Sequence, residues 1–391
     1  MNIIIAPDSF KGSLSAIDVA NAMERGIILV FPDALVTKVP IADGGEGTVE
    51  ALVTATGGCL MYEEVMGPLG DKVKACWGIL GDELTGVIEM AAASGLPLIT
   101  KEQRNPRLAT TYGTGQLIKA ALDQGLRKLI IGIGGSATND GGVGMAKALG
   151  VKFLDASNKE LPNGGAALKE LARIDTSGLD PRLVDTTILV ACDVDNPLCG
   201  IRGASTVYGP QKGATPGMVE ELDQVLRHYA SIAKETTGRD VADSPGAGAA
   251  GGLGAGLLFF TPSQLRPGVE IVLEATCFEE IVKRADLVIT GEGCTDFQTA
   301  HGKAPVGVAK IAQKYKVPTV CISGGLGHGW EDVLQQGIGG LMSIVPKPMT
   351  LEECMRCADE LVYAATSRLC RLVKVGIDNS HTIWLNSADD F

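Results

Sequence analysis

The sequence predicts an α/β protein built from two α/β domains, and three observations carry that prediction. One local order recurs: a short β-branched run, a Gly-rich or polar turn, then a helical pattern. It appears at residues 2–27 (NIIIAPDSFKGSLSAIDVANAMERGI), 35–56 (LVTKVPIADGGEGTVEALVTAT), 128–150 (KLIIGIGGSATNDGGVGMAKALG), 286–293 (DLVITGEG) and 318–325 (PTVCISGG). The apolar runs do not alternate with polar residues, which marks strands covered on both faces and so a parallel sheet with helices on both faces. Finally, 391 residues exceed one ordinary core. After Gly58 the text turns to CLMYEEVMGPLGDKVKACWGIL and GVIEMAAA, which read as adjacent strands. Strand–helix alternation returns at DLVITGEG and continues through TVCISGG and GLMSIV to LEECMRCADELVYAATSRLCRLV. The expected organisation is a discontinuous first domain, residues 1–65 plus 284–391, with a second domain, residues 66–283, inserted within it. A small-molecule site is expected in a cleft between them.

Composition narrows the function. Hydrophobic residues make up 45% of the chain and the formal net charge is −12. That charge argues against nucleic acid or an anionic membrane surface as partner. Small anions must then be held by local amides and a few placed cations. No apolar run approaches the ~20 residues that span a bilayer. The opening Met1-Asn2-Ile3-Ile4-Ile5 is too short for a secretory apolar region. The ten cysteines read as reduced thiols, so a cytoplasmic location is expected. Cys354 and Cys357 form the CxxC spacing, but no second pair follows and the four histidines lie elsewhere, which favours helix-face cysteines over zinc.

The loops leaving the strands are where chemistry is expected, because ligands of parallel sheets collect at the carboxyl ends of strands. Ser9 and Lys11 follow the first strand, where a lysine can meet a phosphate or carboxylate or can simply be solvated. Asp43-Gly44-Gly45-Glu46-Gly47-Thr48 enters a helix, so its amides suit an anion, or a substrate hydroxyl or metal set between the two carboxylates. An Asx turn with helix capping is the structural alternative. The loop from Gly134 to Gly142 offers Ser136, Asn139 and Asp140 before a helix. In ACDVDNPLCG, Asp193, Asp195 and Asn196 are oxygen donors in the style that holds Mg²⁺ beside phosphates, or else a turn. Gly246, Gly248 and Gly251 match G-x-G-x-x-G without a preceding strand, which leaves tight helix packing, an anion pocket and a nicotinamide fingerprint as readings. The stretch GEGCTDFQTAHGK, residues 291–303, is expected as a flexible loop holding Glu292, Asp296 and Lys303. Gly302-Lys303 is followed by Ala304, so it is not a P-loop.

Taken together, APDSFKGSLSA, ADGGEGT, GIGGSATNDGG, ACDVDNP, GPQKGA, PGAGAAGG and GEG-x-x-D-x-Q-T-x-x-GK resemble the bacterial glycerate kinase family of the class I type, in the family's order, from Met1 to about Gly376. The resemblance implies phosphorylation of D-glycerate by ATP with Mg²⁺, usually to 2-phosphoglycerate. It also implies one flavodoxin-like domain and one likened to restriction endonucleases. Within that frame Asp296 is the expected base, Lys303 a partner of the transferring phosphate, and Asp193, then Asp43, the carboxylates for Mg²⁺. Ser9, Lys11, Asp43, Gly44, Gly45, Glu46, Ser136, Asn139, Gly246, Gly248, Gly251 and Glu292 are expected to bind substrate or phosphate. Two features depart from the family: Cys294 stands where arginine is common, and the tail IDNSHTIWLNSADDF matches nothing in it. An NAD-dependent hydroxy-acid oxidoreductase and a non-catalytic binding protein are the competing functions, and homo-oligomerisation is left open.

Overall fold

The computed structural model describes residues 1–388, with side chains through residue 378. Of the unmatched tail, the backbone from Ile377 to Ala388 continues the helix Ala358–Ala388, and residues 389–391 lie outside the described residues. The strands, in chain order, are β1 (Asn2–Pro7), β2 (Leu35–Lys38), β3 (Cys59–Met66), β4 (Lys72–Ile79), β5 (Thr85–Glu89), β6 (Lys128–Gly132) and β7 (Lys152–Leu154). They continue as β8 (Arg173–Asp175), β9 (Thr187–Ala191), β10 (Ser263–Arg266), β11 (Leu287–Thr295), β12 (Thr319–Leu326) and β13 (Gly340–Ser343). Two compact units result: Met1–Ala42 with Val272–Phe391, and Asp43–Ile271.

The first unit holds a five-stranded sheet in the order β13-β12-β11-β1-β2, and every pairing is parallel. Counting only this unit's strands, the order is 2-1-3-4-5, the doubly wound flavodoxin-like arrangement. Its apolar runs are buried because both faces are covered. Ile3, Ile5, Ile289 and Ile322 pack on Val19, Met23 and Ile27 of the helix Ala16–Val30 and on Val362 and Ala365 of the helix Ala358–Ala388. On the other face Cys321 packs with Val306 and Ala309 of the helix Ala304–Lys314. The helix Ala16–Val30 starts where Ser15 Oγ accepts from the Asp18 N–H, an N-cap that satisfies one orphan donor.

The second unit holds a six-stranded mixed sheet, β10-β9-β6-β5-β4-β3. β3, β4 and β5 form an antiparallel meander, whereas β5, β6, β9 and β10 run parallel. β3 pairs with β4 along its whole length, from Cys59↔Ile79 to Met66↔Lys72, which ties residues 59–66 to this sheet. One core gathers Trp77, Ile88, Leu117, Ile131, Val190 and Leu253. A second is aromatic, with Phe153 edge-on to Phe260 at 5.7 Å and Tyr229 edge-on to Phe259 at 5.8 Å.

One local expectation is corrected. GEGCT does not loop out: β11 continues through Thr295, paired as Glu292↔Ser323, Cys294↔Gly325 and Thr295↔Leu326. The partner strand β12 extends equally far, so the backbone donors and acceptors of this polar, Gly-rich stretch find ladder partners despite its weak strand propensity.

Candidate active site

In the first unit the strand order reverses between β1 and β11, the place where doubly wound sheets bind ligands. The loop Asp8-Ser9-Phe10-Lys11 leaves β1 there. It runs so close to β11 that a Cβ on Gly293 would lie 3.4 Å from Phe10 Cα and 3.5 Å from the Lys11 nitrogen. Ser9 is half-buried and Lys11 exposed. Glu292 is only 6% exposed. Its Oε1 accepts from the Thr295 hydroxyl at 2.9 Å and the Thr299 hydroxyl at 2.7 Å. Burial pushes its pKa up; those hydroxyls and Lys303 oppose the shift, and Asp296 adds to it. Asp296 Oδ1 accepts from the Gln298 N–H at 2.9 Å and lies 3.7 Å from Lys303 Nζ. Cys294 is an exposed thiol whose pKa is raised by partial burial and by Asp296 and Glu292. Two carboxylates, a thiol and a lysine thus share one strand end.

In the second unit, four loops meet at the carboxyl ends of β6, β9 and β10. A Cβ on Gly44, at φ +87°, would sit 2.5 Å from Ala191 Cβ, and one on Gly132 would sit 2.4 Å from Gly44 O. The Gly268 N–H donates to Asp193 Oδ1 at 2.8 Å. Asp193 is open to solvent, yet neighbouring atoms push its pKa up to about 6, with Asp43 and Glu270 adding to the rise. Asp43 Oδ1 closes an Asx turn on the Gly45 N–H at 2.9 Å. Glu46 is exposed. The other half of the ACDVDNP loop is a structural turn: Asp195 takes both bonds from Arg202 Nη2, at 2.8 and 2.7 Å, and Asn196 binds Arg202 O and the Tyr208 hydroxyl.

Two residues here carry more than their sequence context announced. Glu89, at the end of β5, accepts from the Val49 N–H at 2.7 Å, so a side-chain carboxylate already occupies the start of the helix Thr48–Thr56. Burial pushes its pKa up to about 7 against that bond, with Glu50 and Glu46 contributing. A carboxylate closing the apolar run GVIE was the available signal. Lys212, from GPQKGA, is 1% exposed and donates to Ser136 Oγ and Thr138 O, both at 2.7 Å. Burial pulls its pKa down to about 7, which Asp140 partly opposes. Asn139 is fully buried, donating from Nδ2 to Ser205 Oγ at 2.9 Å, with no hydrogen bond to its Oδ1.

The glycines of PGAGAAGG meet protein on every side. A Cβ would lie 2.6 Å from Leu265 Cδ2 at Gly246, 2.2 Å from Pro197 O at Gly248 and 1.9 Å from Thr138 O at Gly251. The packing reading accounts for all three positions, and the segment before them is turn rather than strand. Among the described residues, no group of three or more His, Cys, Asp or Glu side chains could hold a metal ion. Asp193, whose pKa Asp43 helps to raise, and Asp43 itself are two carboxylates of the kind Mg²⁺ accepts, since that ion takes one or two carboxylates and completes its shell with phosphate and water. No helix among the described residues is long and apolar enough to cross a membrane, and all ten cysteines are free thiols.

Known proteins match this chain along its length. The family model described as the glycerate kinase family covers residues 3–374. A glycerate kinase of Halalkalibacterium halodurans is 54% identical over 367 residues, 94% of this chain and 97% of that one. The glycerate 2-kinase of Escherichia coli is 51% identical over 380 residues, 97% of this chain and all of its own length. A crystal structure described as glycerate kinase 2 from Salmonella typhimurium superposes with a TM-score of 0.88 at 50% identity, covering 97% of this chain and 99% of its own. Matches of this extent, together with the strand-end loops in the family's order, establish that the chain belongs to the glycerate kinase family.

Proposed function

We propose that this enzyme transfers the γ-phosphoryl group of ATP to the 2-hydroxyl of D-glycerate, releasing ADP and 2-phosphoglycerate. The observation that carries the reading is the 51% identity to a glycerate 2-kinase across that protein's full length. Asp296 accepts the hydroxyl proton as the new O–P bond forms and the bond to the β–γ bridging oxygen breaks. Lys303, 3.7 Å from Asp296, is the cation available to the transferring phosphate oxygens, and Lys11 lies on the neighbouring loop. The buried Glu292, held by two hydroxyls, keeps Thr295 and Thr299 in place beneath the base. In the second unit Asp193 and Asp43 would hold Mg²⁺, which when bound neutralises phosphate charge. Ser136, Gly44 and Gly45 belong to the substrate-facing loops of the same strand ends. We place the enzyme in the cytoplasm, which its ten free thiols suit.

The test is D-glycerate-dependent ADP release with the product identified by phosphorus NMR. Absence of ADP release would overturn the activity, and a 3-phosphate ester would overturn the regiochemistry. Reduction of NAD by D-glycerate would instead restore the oxidoreductase reading.

A further inference from the structure

We propose that Lys212 is a positioning residue that orients the Ser136 hydroxyl as a hydrogen-bond donor to an anionic oxygen of a bound substrate, a role that rests on the kinase reading of these loops. An ammonium group can only donate. In its charged form Lys212, with Nζ 2.7 Å away, therefore makes Ser136 Oγ the acceptor and leaves its O–H to donate elsewhere. Among the described residues no other hydrogen bond engages that hydroxyl.

Both ends of the arrangement are fixed. Ser136 is bridged to Gly95, with the Ala137 N–H on Ser94 O and the Leu96 N–H on Gly135 O, each at 2.9 Å. Thr138 O, the second acceptor of Lys212, lies against Gly251, which at φ +69° leaves no room for a Cβ. The Gly-rich segment thus buttresses the lysine's cradle. Among the described residues Lys212 has two acceptors for three N–H donors and no ion-pair partner. The carboxylate facing it, Asp140, is already engaged by the Thr111, Gly142 and Gly144 N–H groups and the Thr111 hydroxyl. The neighbouring guanidinium, Arg104, donates to Gln211 O, and Tyr229 directs its hydroxyl to Gly141 O. A buried cation is expensive to keep where an apolar side chain would pack, unless its charge serves something. An anion taken up at Ser136 would supply the missing negative charge.

A substrate carboxylate and a nucleotide phosphate share this chemistry, and separate titrations distinguish them. Calorimetric binding of D-glycerate alone, and of a Mg²⁺-loaded non-hydrolysable ATP analogue alone, is measured for wild type, S136A, K212M and the double variant. The expected result is a loss of roughly 10- to 100-fold in affinity for one ligand only, the range of a charge-assisted hydrogen bond. The double variant should lose no more than the larger single effect. Because burial holds Lys212 near pH 7, binding at pH 8 should also take up a proton in wild type and not in K212M. Unchanged affinities in S136A, or additive losses in the double variant, overturn the proposal. If K212M does not fold, S136A decides: it removes the O–H donor together with one acceptor of Lys212, and an affinity equal to wild type for both ligands overturns the proposal. Absence of glycerate-dependent ADP release in wild type would sink the kinase reading, whereas these variants read anion binding irrespective of turnover.

Discussion

Cys294 occupies the place between two carboxylates on β11 where a guanidinium would present a bidentate, permanently charged donor. The thiol is exposed, so the larger side chain has room. Losing one transition-state donor typically costs a factor of about 10²–10³. Lys303 stands close enough to cover part of that, so Cys294→Arg should raise kcat/KM for D-glycerate by about tenfold. A shifted thermal midpoint with unchanged kinetics would mean that the arginine only pairs with its carboxylate neighbours. For Asp296, the Asn variant keeps the acceptor for the Gln298 N–H while removing basicity. Its kcat should fall by ~10²–10⁴ with KM little changed; a loss confined to KM would make Asp296 a binding group. Asp296 and Lys303 were legible as candidates because a carboxylate and a lysine in a Gly-rich motif suggest phosphate chemistry, and the fold brings them to 3.7 Å. Lys212 was not: a lysine between polar residues reads as solvated, and only the tertiary fold buries it.

At the scale of elements, the helix Thr48–Thr56 is capped from another element, by Glu89 on β5. The folded-state pKa of Glu89 is raised from 4.5 to about 7. The protonated group therefore favours folding fully below pH 4.5, and that contribution is lost as pH rises through about 7. Glu89→Gln retains an acceptor for the Val49 N–H without the buried charge. Its thermal midpoint should exceed that of wild type at pH 8, with the gap closing toward pH 4.5; a gap independent of pH would refute this account. Elements were readable from sequence where periodicity and burial agree, as in IIIA of β1 and LVIT of β11. The end of β11 was not, because glycine and charge suppress the local strand signal while pairing with β12 restores it. Antiparallel β3 and β4 were recognisable as strands, but nothing local says that β3 joins the second sheet.

For the molecule as a whole, a net charge of −12 opposes the approach of two anionic substrates. Neutralisation at the site therefore matters more than the global field, and EDTA should abolish turnover, with added Mg²⁺ restoring it; undiminished activity in EDTA would remove Asp193 and Asp43 from the mechanism. The position of β1 between β2 and β11 has a different consequence, for the order in which the chain matures. Ile3 pairs with Leu287, so the first sheet cannot close until the ribosome has delivered β11. The intervening second unit, Asp43–Ile271, is contiguous. Closing an unfolded loop of that size costs roughly 5 kcal/mol by the logarithmic law. The inserted unit should accordingly fold first and the N-terminal strand wait for its neighbour. Pulse-labelled hydrogen exchange during refolding should show β6 and β9 amides protected before those of β1, and simultaneous protection would contradict that order. Until its tail-side half emerges, the nascent enzyme carries β1, an apolar strand without its central partner, which is the segment most in need of a chaperone.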